Sequence, residues 1–489
     1  MGNTDSSDKY GLRDTYGLKP HLNLITTIAI VTGAMIGSGI FKKPAVMASQ
    51  LGDPALLLGI WVLAGGITLI GALTNAEIAG MITKTGGQYV YFQKMYGNLV
   101  AYLYGWAIFA VIQTGSIASI TYVFAEYSEY FYVLPRFPEH IEKGVELYIP
   151  YIGSIFPLNN FGVKSLTMFI IIFLTTVNYY GVKFGGRVSL TFTSLKIMAI
   201  LLLIGFGFAY SGGSAAHFSR EYTASLAVET GIFSAVIAAM AGAFWSFDGW
   251  NNITYLAGEV KRPQINIPGA LIIGTGIVIG VYLLFNVAII YIMPIEEAAG
   301  SYLVAADAAN AAMGPIGAAF VAALVMISTF GTSNGTIMAS ARVYFAMSRD
   351  KMFFNSIGYL HPRFRTPSNA LVLQAVWACF LVMSGTFDIL TDMLIFVSWI
   401  FYAIGAYGVF VLRKKMPDAP RPYKVTGYPW LPAIFIIFAF GYVIFTLYND
   451  INNYMHGRAQ IIDSLFGLLL LFAGVPLYLW FKSKGRIKE

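Results

Sequence analysis

Residues 33–44 read GAMIGSGIFKKP and interrupt an apolar run that otherwise has the character of a membrane-spanning helix. The stretch holds three glycines and a serine, and each glycine inside a helix costs about 1 kcal/mol relative to alanine. In hydrocarbon, a backbone group that loses its hydrogen-bond partner costs several kcal/mol more. A chain that crosses lipid tolerates such a break only where the freed backbone groups bind something else.

The composition indicates the class of protein. The chain has 489 residues, of which 57% are hydrophobic and 11% are charged, whereas soluble domains carry about 25% charged residues. Apolar segments of membrane-spanning length recur along nearly the whole sequence, which predicts an all-α polytopic membrane protein. The polar N-terminus lacks a basic region followed by a short apolar core, so we expect no cleaved signal peptide.

Hydropathy predicts twelve transmembrane helices. The short connections between them leave no room for a soluble domain. The predicted spans are 22–49, 55–82, 98–132, 163–182, 188–211, 228–258, 267–293, 315–348, 368–386, 391–412, 430–449 and 461–481.

The basic residues predict the orientation. With the N-terminus inside, 22 lysines and arginines fall in inner segments and 7 in outer ones, with Lys42 and Lys43 counted among the outer ones. The positive-inside rule then places both termini in the cytoplasm of a multi-pass protein of the plasma (inner) membrane. The net charge of +7 is explained by anionic membrane lipid beside the inner segments, without any nucleic acid as partner.

A second interruption lies in the sixth span, where residues 242–252 read GAFWSFDGWNN. The first interruption lies in the first span, so the breaks occupy matching places in two halves of five helices. This pattern is typical of inverted-repeat transporters, whose substrate binds near the middle of the membrane between the breaks. The alternative is that each glycine cluster is a close contact between packed helices.

The residue types at the breaks predict the kind of ligand. A break near Gly37, Ser38 and Gly39 frees backbone N–H groups at the start of a half-helix, whose dipole adds about half a positive charge. Such a site binds a carboxylate. The carbonyl of Met35 and those of the second break, from Trp245 to Gly249, would accept an ammonium group. Carboxylate and ammonium sites side by side describe an α-amino acid.

Four stretches carry a specific resemblance: residues 33–41, 74–91 (TNAEIAGMITKTGGQYVY), 244–263 (FWSFDGWNNITYLAGEVKRP) and 328–350 (STFGTSNGTIMASARVYFAMSRD). Together they resemble the L-amino acid transporter branch of the amino acid–polyamine–organocation (APC) superfamily. The resemblance implies a LeuT-like fold of five plus five helices with helices 1 and 6 interrupted, followed by two C-terminal helices. It also implies sodium-independent transport of amino acids, usually by exchange, with no cofactor.

The resemblance also divides the chain and implies roles for individual residues. Residues 1–20 would form a cytoplasmic tail, 21–415 the inverted-repeat core, and 416–489 helices 11 and 12 with the C-terminal tail. The carboxylate-binding break would be Gly37, Ser38 and Gly39. The backbone or side chains of Met35, Trp245 and Asp248 would face the amine and the gate. The predicted substrate-binding set is Met35, Gly37, Ser38, Gly39, Trp245, Ser246, Asp248 and Asn251.

Lys196 lies nine residues beyond Arg187, which is about 13 Å into the membrane at the rise of a helix. One interpretation is a lysine that snorkels back to the inner interface. The other is an ammonium group that binds carbonyls of the first break and a hydroxyl of the eighth span, from Ser328 or Thr332. Such a fixed cation would substitute for sodium, as the family resemblance implies.

Several alternatives stay open. Asp248 either caps the second half-helix or contacts a cationic side chain, which would extend the substrates from neutral to cationic amino acids. A proton-coupled symporter is the main rival to an exchanger of neutral L-amino acids. An enzyme and a metal site are not expected, because the five histidines show no metal-ligand spacing.

The chain has a single cysteine, Cys379, in the predicted ninth span. Eukaryotic relatives of this type are disulfide-linked to a single-span glycoprotein through a cysteine in an outer loop. No cysteine of this chain lies in such a loop, so we expect no disulfide-linked heavy chain.

Overall fold

The computed structural model describes residues 20–180, 186–219, 231–364 and 366–484. Residues 1–19 of the predicted tail lie outside them, as do Lys183, Arg220, Arg365, Arg486 and Lys488 among the residues used to predict orientation. The helices are α1 (Leu24–Met35), α2 (Gly39–Leu51), α3 (Pro54–Met81), α4 (Gln88–Tyr96), α5 (Asn98–Ser128, with a π-helical segment at Ile108–Ile112), α6 (Glu139–Glu142), α7 (Phe161–Tyr179), α8 (Gly186–Ala209), α9 (Ile232–Phe247), α10 (Pro263–Ile292), α11 (Ile295–Gly300), α12 (Val304–Arg349), α13 (Ser368–Ser384), α14 (Phe387–Lys415), α15 (Trp430–Met455), α16 (Asp463–Phe472) and α17 (Gly474–Ser483). Short 3-10 helices cover Ala215–Ser219, Asn252–Glu259 and Asn355–Gly358.

The helices form a polytopic membrane protein. Within the described ranges, ten helical segments are long and apolar enough to cross a membrane, and α1 with α2 and α9 with the 3-10 helix Asn252–Glu259 each count as one of them. Two further apolar helices are shorter, Thr193–Ala209 within α8 and Ser368–Ser384, and they lie at the predicted fifth and ninth spans.

Local sequence signals set several helix ends. The Asn23 side chain accepts a hydrogen bond from the Thr26 N–H at 2.9 Å and begins α1. Asp53 caps α3 in the same way, with Pro54 at the first helical position, where a missing N–H costs nothing. In α12, Gly314 has φ 74° and interrupts the helix just before Pro315, where the eighth span is predicted to begin.

The two halves of the broken first helix pack on different pairs of helices. The α1 half packs on α8 and α10, while the α2 half packs on α9 and α11. Small residues permit the close approach on the α1 side: a Cβ on Gly33 would collide with the Thr193 hydroxyl, and one on Gly274 would lie 2.8 Å from Val31. Between helices in lipid, such close contacts supply much of the packing energy.

The connection between α5 and α7 differs from the all-α prediction. Strands β1 (Leu147–Ile149) and β2 (Gly153–Ile155) form an antiparallel hairpin there. The hairpin is extended by main-chain bonds to the segment before α16, from the Ser154 N–H to the Gln460 carbonyl at 2.9 Å and from the Ile462 N–H to the Ile152 carbonyl at 2.8 Å. Sequence patterning missed the hairpin because its strands are only three residues long.

A buried ion-pair network joins α3 to α14 and to the loop that follows it. Glu77 is 1% exposed and accepts two hydrogen bonds from Arg413, at 2.9 and 2.7 Å. Arg421 lies 3.4 Å from the same carboxylate, and the Val425 N–H donates to it at 2.8 Å. The carboxylate therefore binds two cations and a backbone donor from a distant part of the chain.

We expect Glu77→Gln to destabilise the protein by about 3 kcal/mol, because it leaves two arginines without their buried counter-charge. Thermal unfolding in detergent measures the effect as a lower melting temperature. The matched control is Glu139→Gln, which removes a carboxylate from the exposed pair with Lys143 and should leave the melting temperature unchanged. Equal melting temperatures for the two variants would contradict the assigned role of Glu77.

Candidate substrate site

The first break separates α1 from α2 by three residues. The Ile36 N–H still bonds to the Thr32 carbonyl, and the Gly37 N–H turns back to the Met35 carbonyl at 2.8 Å. The N–H groups of the next three residues, Ser38, Gly39 and Ile40, have no backbone acceptor among the described residues. These three donors lie at the N-terminus of α2, where the helix dipole favours an anion.

The two glycines of the predicted break, Gly37 and Gly39, differ in how much space surrounds them. A Cβ on Gly39 would lie 2.6 Å from the Cα of Ser246 and 2.5 Å from its hydroxyl. A Cβ on Gly37 would have no neighbour closer than 3.5 Å, the methyl of Thr332. Gly39 is therefore required for the close approach of α2 to α9, so the packing interpretation applies to this glycine.

Tyr282 of α10 connects the two breaks. Its hydroxyl lies 2.8 Å from the Met35 carbonyl and 3.0 Å from the Ser246 carbonyl, and its side chain is fully buried. The Met35 carbonyl thus has two donors, Tyr282 and the Gly37 N–H. Sequence reasoning missed Tyr282, for which the one available signal was a hydroxyl within an apolar span.

The second break follows Phe247. Asp248 has an extended backbone with ψ 160°, and Gly249 has φ +89°, a conformation that favours glycine. A Cβ at Gly249 would also lie 3.1 Å from the Ala34 carbonyl of α1, so the second break packs directly on the first broken helix. The chain continues as the 3-10 helix Asn252–Glu259.

The predicted residues of the second break contact different elements. Trp245 is 5% exposed, and its ring packs edge-on to Phe387 at a centroid distance of 6.2 Å. The Asp248 carboxylate accepts a hydrogen bond of 2.6 Å from Tyr402 of α14. The Asn251 carbonyl accepts from Thr254 and shapes the following turn. Trp245 and Asp248 therefore both contact α14, Trp245 at its first residue and Asp248 near its middle.

The Lys196 ammonium group lies at the first break. Its Nζ donates to the Gly33 carbonyl at 3.0 Å, to the Ile36 carbonyl at 2.8 Å and to the Thr332 hydroxyl at 2.8 Å. The residue is 4% exposed. Three donors therefore meet three acceptors, which satisfies the hydrogen-bonding capacity of an ammonium group.

The two hydroxyls predicted to support Lys196 differ. The Thr332 hydroxyl accepts from Lys196 and donates to the Ser328 carbonyl at 2.9 Å. The Ser328 hydroxyl itself is buried, and among the described residues it has no hydrogen-bond partner. Ser328 therefore contributes through its carbonyl, which orients the threonine.

A cavity of about 430 Å³ reaches this region from the end of the protein where α1 begins, here called the α1 side. Its walls include Lys196, Thr332 and Gly33 at the deep end and His21 and Glu259 at the mouth. The remaining predicted site residues do not line it. They are Met35, Gly37, Ser38, Gly39, Trp245, Ser246, Asp248, Asn251 and Ser328.

The opposite end of the protein, where α2 ends, is here called the α2 side and is held by ion pairs. Lys42 lies 2.9 Å from the Glu126 carboxylate of α5, which also accepts from the Tyr302 hydroxyl at 2.8 Å. Lys43 lies 2.7 Å from the Asp388 carboxylate of α14. Both lysines are buried within α2 and are not residues of an outer segment as predicted. The structure thus has a cavity on the α1 side and ion-paired helices on the α2 side.

Comparisons with known proteins agree with this architecture. Residues 22–472 match the family described as amino acid permease. The serine/threonine exchanger SteT of Bacillus subtilis (strain 168) is 29% identical over 474 residues, which cover 96% of this chain and 98% of that protein. The human b(0,+)-type amino acid transporter 1 is 31% identical over 415 residues, covering 84% of this chain and 80% of that protein. The human large neutral amino acids transporter small subunit 2 is 29% identical over 479 residues, which cover 98% of this chain and 83% of that protein.

The match extends over both breaks, Lys196 and the ion-paired lysines of α2. Its relatives are amino acid transporters by name, and one of them is an exchanger. The chain therefore belongs to the amino acid permease family, in the L-amino acid transporter branch of the APC superfamily.

Proposed function

We propose that this chain is a sodium-independent exchanger of neutral L-amino acids that works by alternating access. The finer architecture belongs to the same proposal: twelve spans in the plasma (inner) membrane, a LeuT-like repeat of five plus five helices over residues 21–415, and both termini in the cytoplasm. The observation that carries the proposal is the Lys196 ammonium group, bonded to two carbonyls of the first break and to Thr332.

The geometry of Lys196 supports sodium independence. Carbonyl and hydroxyl oxygens are the ligands that a sodium ion would use to hold the first break against α12. Here an ammonium group attached to α8 already satisfies these oxygens. The break is then held in place without a dissociable cation.

The substrate would bind on the other side of the same break. Its carboxylate would accept from the free N–H groups of Ser38, Gly39 and Ile40. Its ammonium group would bind the carbonyls of Met35 and Ser246, which the Tyr282 hydroxyl bridges in this structure. Trp245 would cover the ligand on the α2 side.

The distribution of open and closed ends supports alternating access. The α1 side has the cavity of about 430 Å³, while the α2 side is closed by the ion pairs of Lys42 and Lys43. A site between the two ends would exchange its ligand with one side of the membrane at a time. The cationic-substrate alternative would require Asp248 to release Tyr402 in favour of the substrate.

The partner prediction also belongs to the proposal. The single cysteine, Cys379, lies in α13 and is half-buried. We propose that the chain transports amino acids without a disulfide-linked heavy chain.

Exchange is tested with purified protein in liposomes. We expect uptake of labelled L-serine to be about tenfold faster into liposomes preloaded with unlabelled L-serine than into empty ones, because the loaded carrier reorients more readily than the empty one. The rate should not change when sodium is replaced by choline. Fast uptake into empty liposomes that depends on an inward pH gradient would instead support the proton symporter.

Lys196→Ala should slow exchange about 10- to 100-fold, because it leaves buried acceptors of the first break unpaired at a cost of about 1–3 kcal/mol. Thr332→Val should slow exchange in the same direction, whereas the matched variant Thr332→Ser keeps the hydroxyl and should stay close to wild type. Initial rates of L-serine exchange measure all three. A near-silent Lys196→Ala would remove the central support of the proposal.

Gly39→Ala should abolish L-serine binding, because its Cβ would lie 2.6 Å from the Ser246 Cα and would push α2 away from α9. Ser38→Trp should abolish binding as well, by filling the place of the carboxylate. Gly276→Ala is the matched control, since a Cβ there meets nothing within 4 Å. Binding measured by isothermal calorimetry in detergent checks the prediction, and wild-type affinity in Gly39→Ala would refute it.

A further inference from the structure

Lys43 occupies a small site built by α14. Its Nζ lies 2.7 Å from the Asp388 carboxylate, 3.5 Å from the Asp392 carboxylate and 4.9 Å from the centre of the Phe387 ring. The Lys43 side chain is 2% exposed, whereas those of Asp388 and Asp392 are 47% and 37% exposed. The two carboxylates are therefore more exposed than the lysine that pairs with them.

The composition of this site selects an organic cation. Two carboxylates beside an aromatic face bind an ammonium group through charge-assisted hydrogen bonds and the ring quadrupole. The described residues contain no group of three or more His, Cys, Asp or Glu side chains arranged to hold a metal ion. The Lys43 ammonium group is a chemical stand-in for such a ligand.

A buried hydroxyl lies near one of these carboxylates. Tyr442 of α15 is 3% exposed, and its hydroxyl, which lies near Asp392, Asp450 and Thr446, meets no hydrogen-bond partner within bonding distance among the described residues. Lys43 lies closer to the Asp388 carboxylate, at 2.7 Å, than to the Asp392 carboxylate, at 3.5 Å, so Asp392 is the less fully paired of the two.

The surroundings hold other ionisable groups. On the elements packed against Asp392 these are Asp450 of α15 and Asp463 at the start of α16, with Lys42 next to Lys43 on α2. The α9 segment Ile232–Phe247 has no ionisable side chain. His456 and Arg458 lie exposed on the loop after α15. Lys43 itself faces two carboxylates, those of Asp388 and Asp392, with its single ammonium group.

Lys43 and the two aspartates lie on helices that are attached to the rest of the chain in different ways. Lys43 lies on α2, which joins α1 through the nonhelical break, whereas Asp388 and Asp392 lie in the first two turns of the unbroken helix α14. A rotation of α2 about the break would withdraw Lys43 and leave the two aspartates in place. Phe387 also contacts Trp245, so the vacated site would lie next to the proposed substrate position.

We propose that Asp388, Asp392 and Phe387 form a second ammonium site, filled by Lys43 when the α2 side is closed and by the ammonium group of an incoming amino acid when it opens. The inference rests on the proposed exchange function and deepens it. In the absence of an amino acid on the α2 side, Lys43 refills the site and closes this end. An external amino acid competes with the lysine and keeps the end open.

The flux test uses liposomes preloaded with labelled L-serine. For the wild type we expect efflux to be about tenfold faster into buffer that contains L-serine than into buffer without it. Lys43→Met should raise efflux into amino-acid-free buffer about tenfold, because the tethered competitor is absent, and the two rates should become similar. Lys143→Met is the matched control, since this lysine is exposed and pairs only with Glu139 among the described residues, and it should behave like wild type.

A second test needs no transport. Ala45 lies two residues beyond Lys43 on α2 and is 5% exposed. In a Cys379→Ala background, Ala45→Cys should react slowly with a water-soluble maleimide in detergent. Ethylammonium chloride should speed the reaction severalfold more than sodium chloride of equal ionic strength. Lys43→Met should make the labelling fast with either salt.

The outcomes separate the two proposals. A wild-type protein that exchanges neither L-serine nor any other neutral L-amino acid would overturn the exchange function, while the labelling experiment would still judge the ammonium site. Normal exchange with a Lys43→Met variant that leaves both the efflux ratio and the labelling rate unchanged would overturn the ammonium site alone. Equal effects of ethylammonium and sodium chloride on labelling would also overturn it.

Discussion

The structure depends on how the backbone groups of an interrupted helix are satisfied inside a membrane protein. The first break removes the helical partners of several carbonyls, and two of them, Gly33 and Ile36, accept from the Lys196 ammonium group. A third, Met35, accepts from Tyr282. An unsatisfied carbonyl in hydrocarbon costs several kcal/mol. By donating these hydrogen bonds, the lysine and the tyrosine remove this cost for the three carbonyls of the break.

The N–H groups at the break are not satisfied in the way that the carbonyls are. Ser38, Gly39 and Ile40 have no backbone acceptor among the described residues, and the start of α2 packs so tightly on Ser246 that only glycine fits at position 39. Protein groups satisfy the carbonyl half of the break, whereas the N–H half has no backbone acceptor among the described residues. This asymmetry supports the proposed carboxylate site, because a ligand could bind and leave there while the fold stays intact.

The half-helix α2 connects the first break to the helices on the α2 side of the protein. It has no continuous helical connection to α1, so its packing on α9 and α11 and the contacts of its two lysines set its position. Lys42 binds α5 through Glu126, and Lys43 binds α14 through Asp388. An ion pair that includes a buried lysine adds little net stability, because the cost of desolvating the charge offsets much of the attraction. Such pairs therefore suit the proposed alternating access, in which this contact would form and separate in each cycle.

The sequence by itself determined the membrane class, the approximate limits of the spans and the positions of both breaks, because apolar length, glycine clusters and a deep lysine are local signals. Tertiary structure alone decided that Gly39 is a packing contact with Ser246, that Tyr282 bridges the breaks, that Asp248 binds Tyr402, and that Lys42 and Lys43 are buried partners of α5 and α14. Each of these pairs joins residues far apart in the chain, or on different helices. Hydropathy and spacing report which face or depth a residue occupies, but the partner across a helix interface is set by how the helices pack.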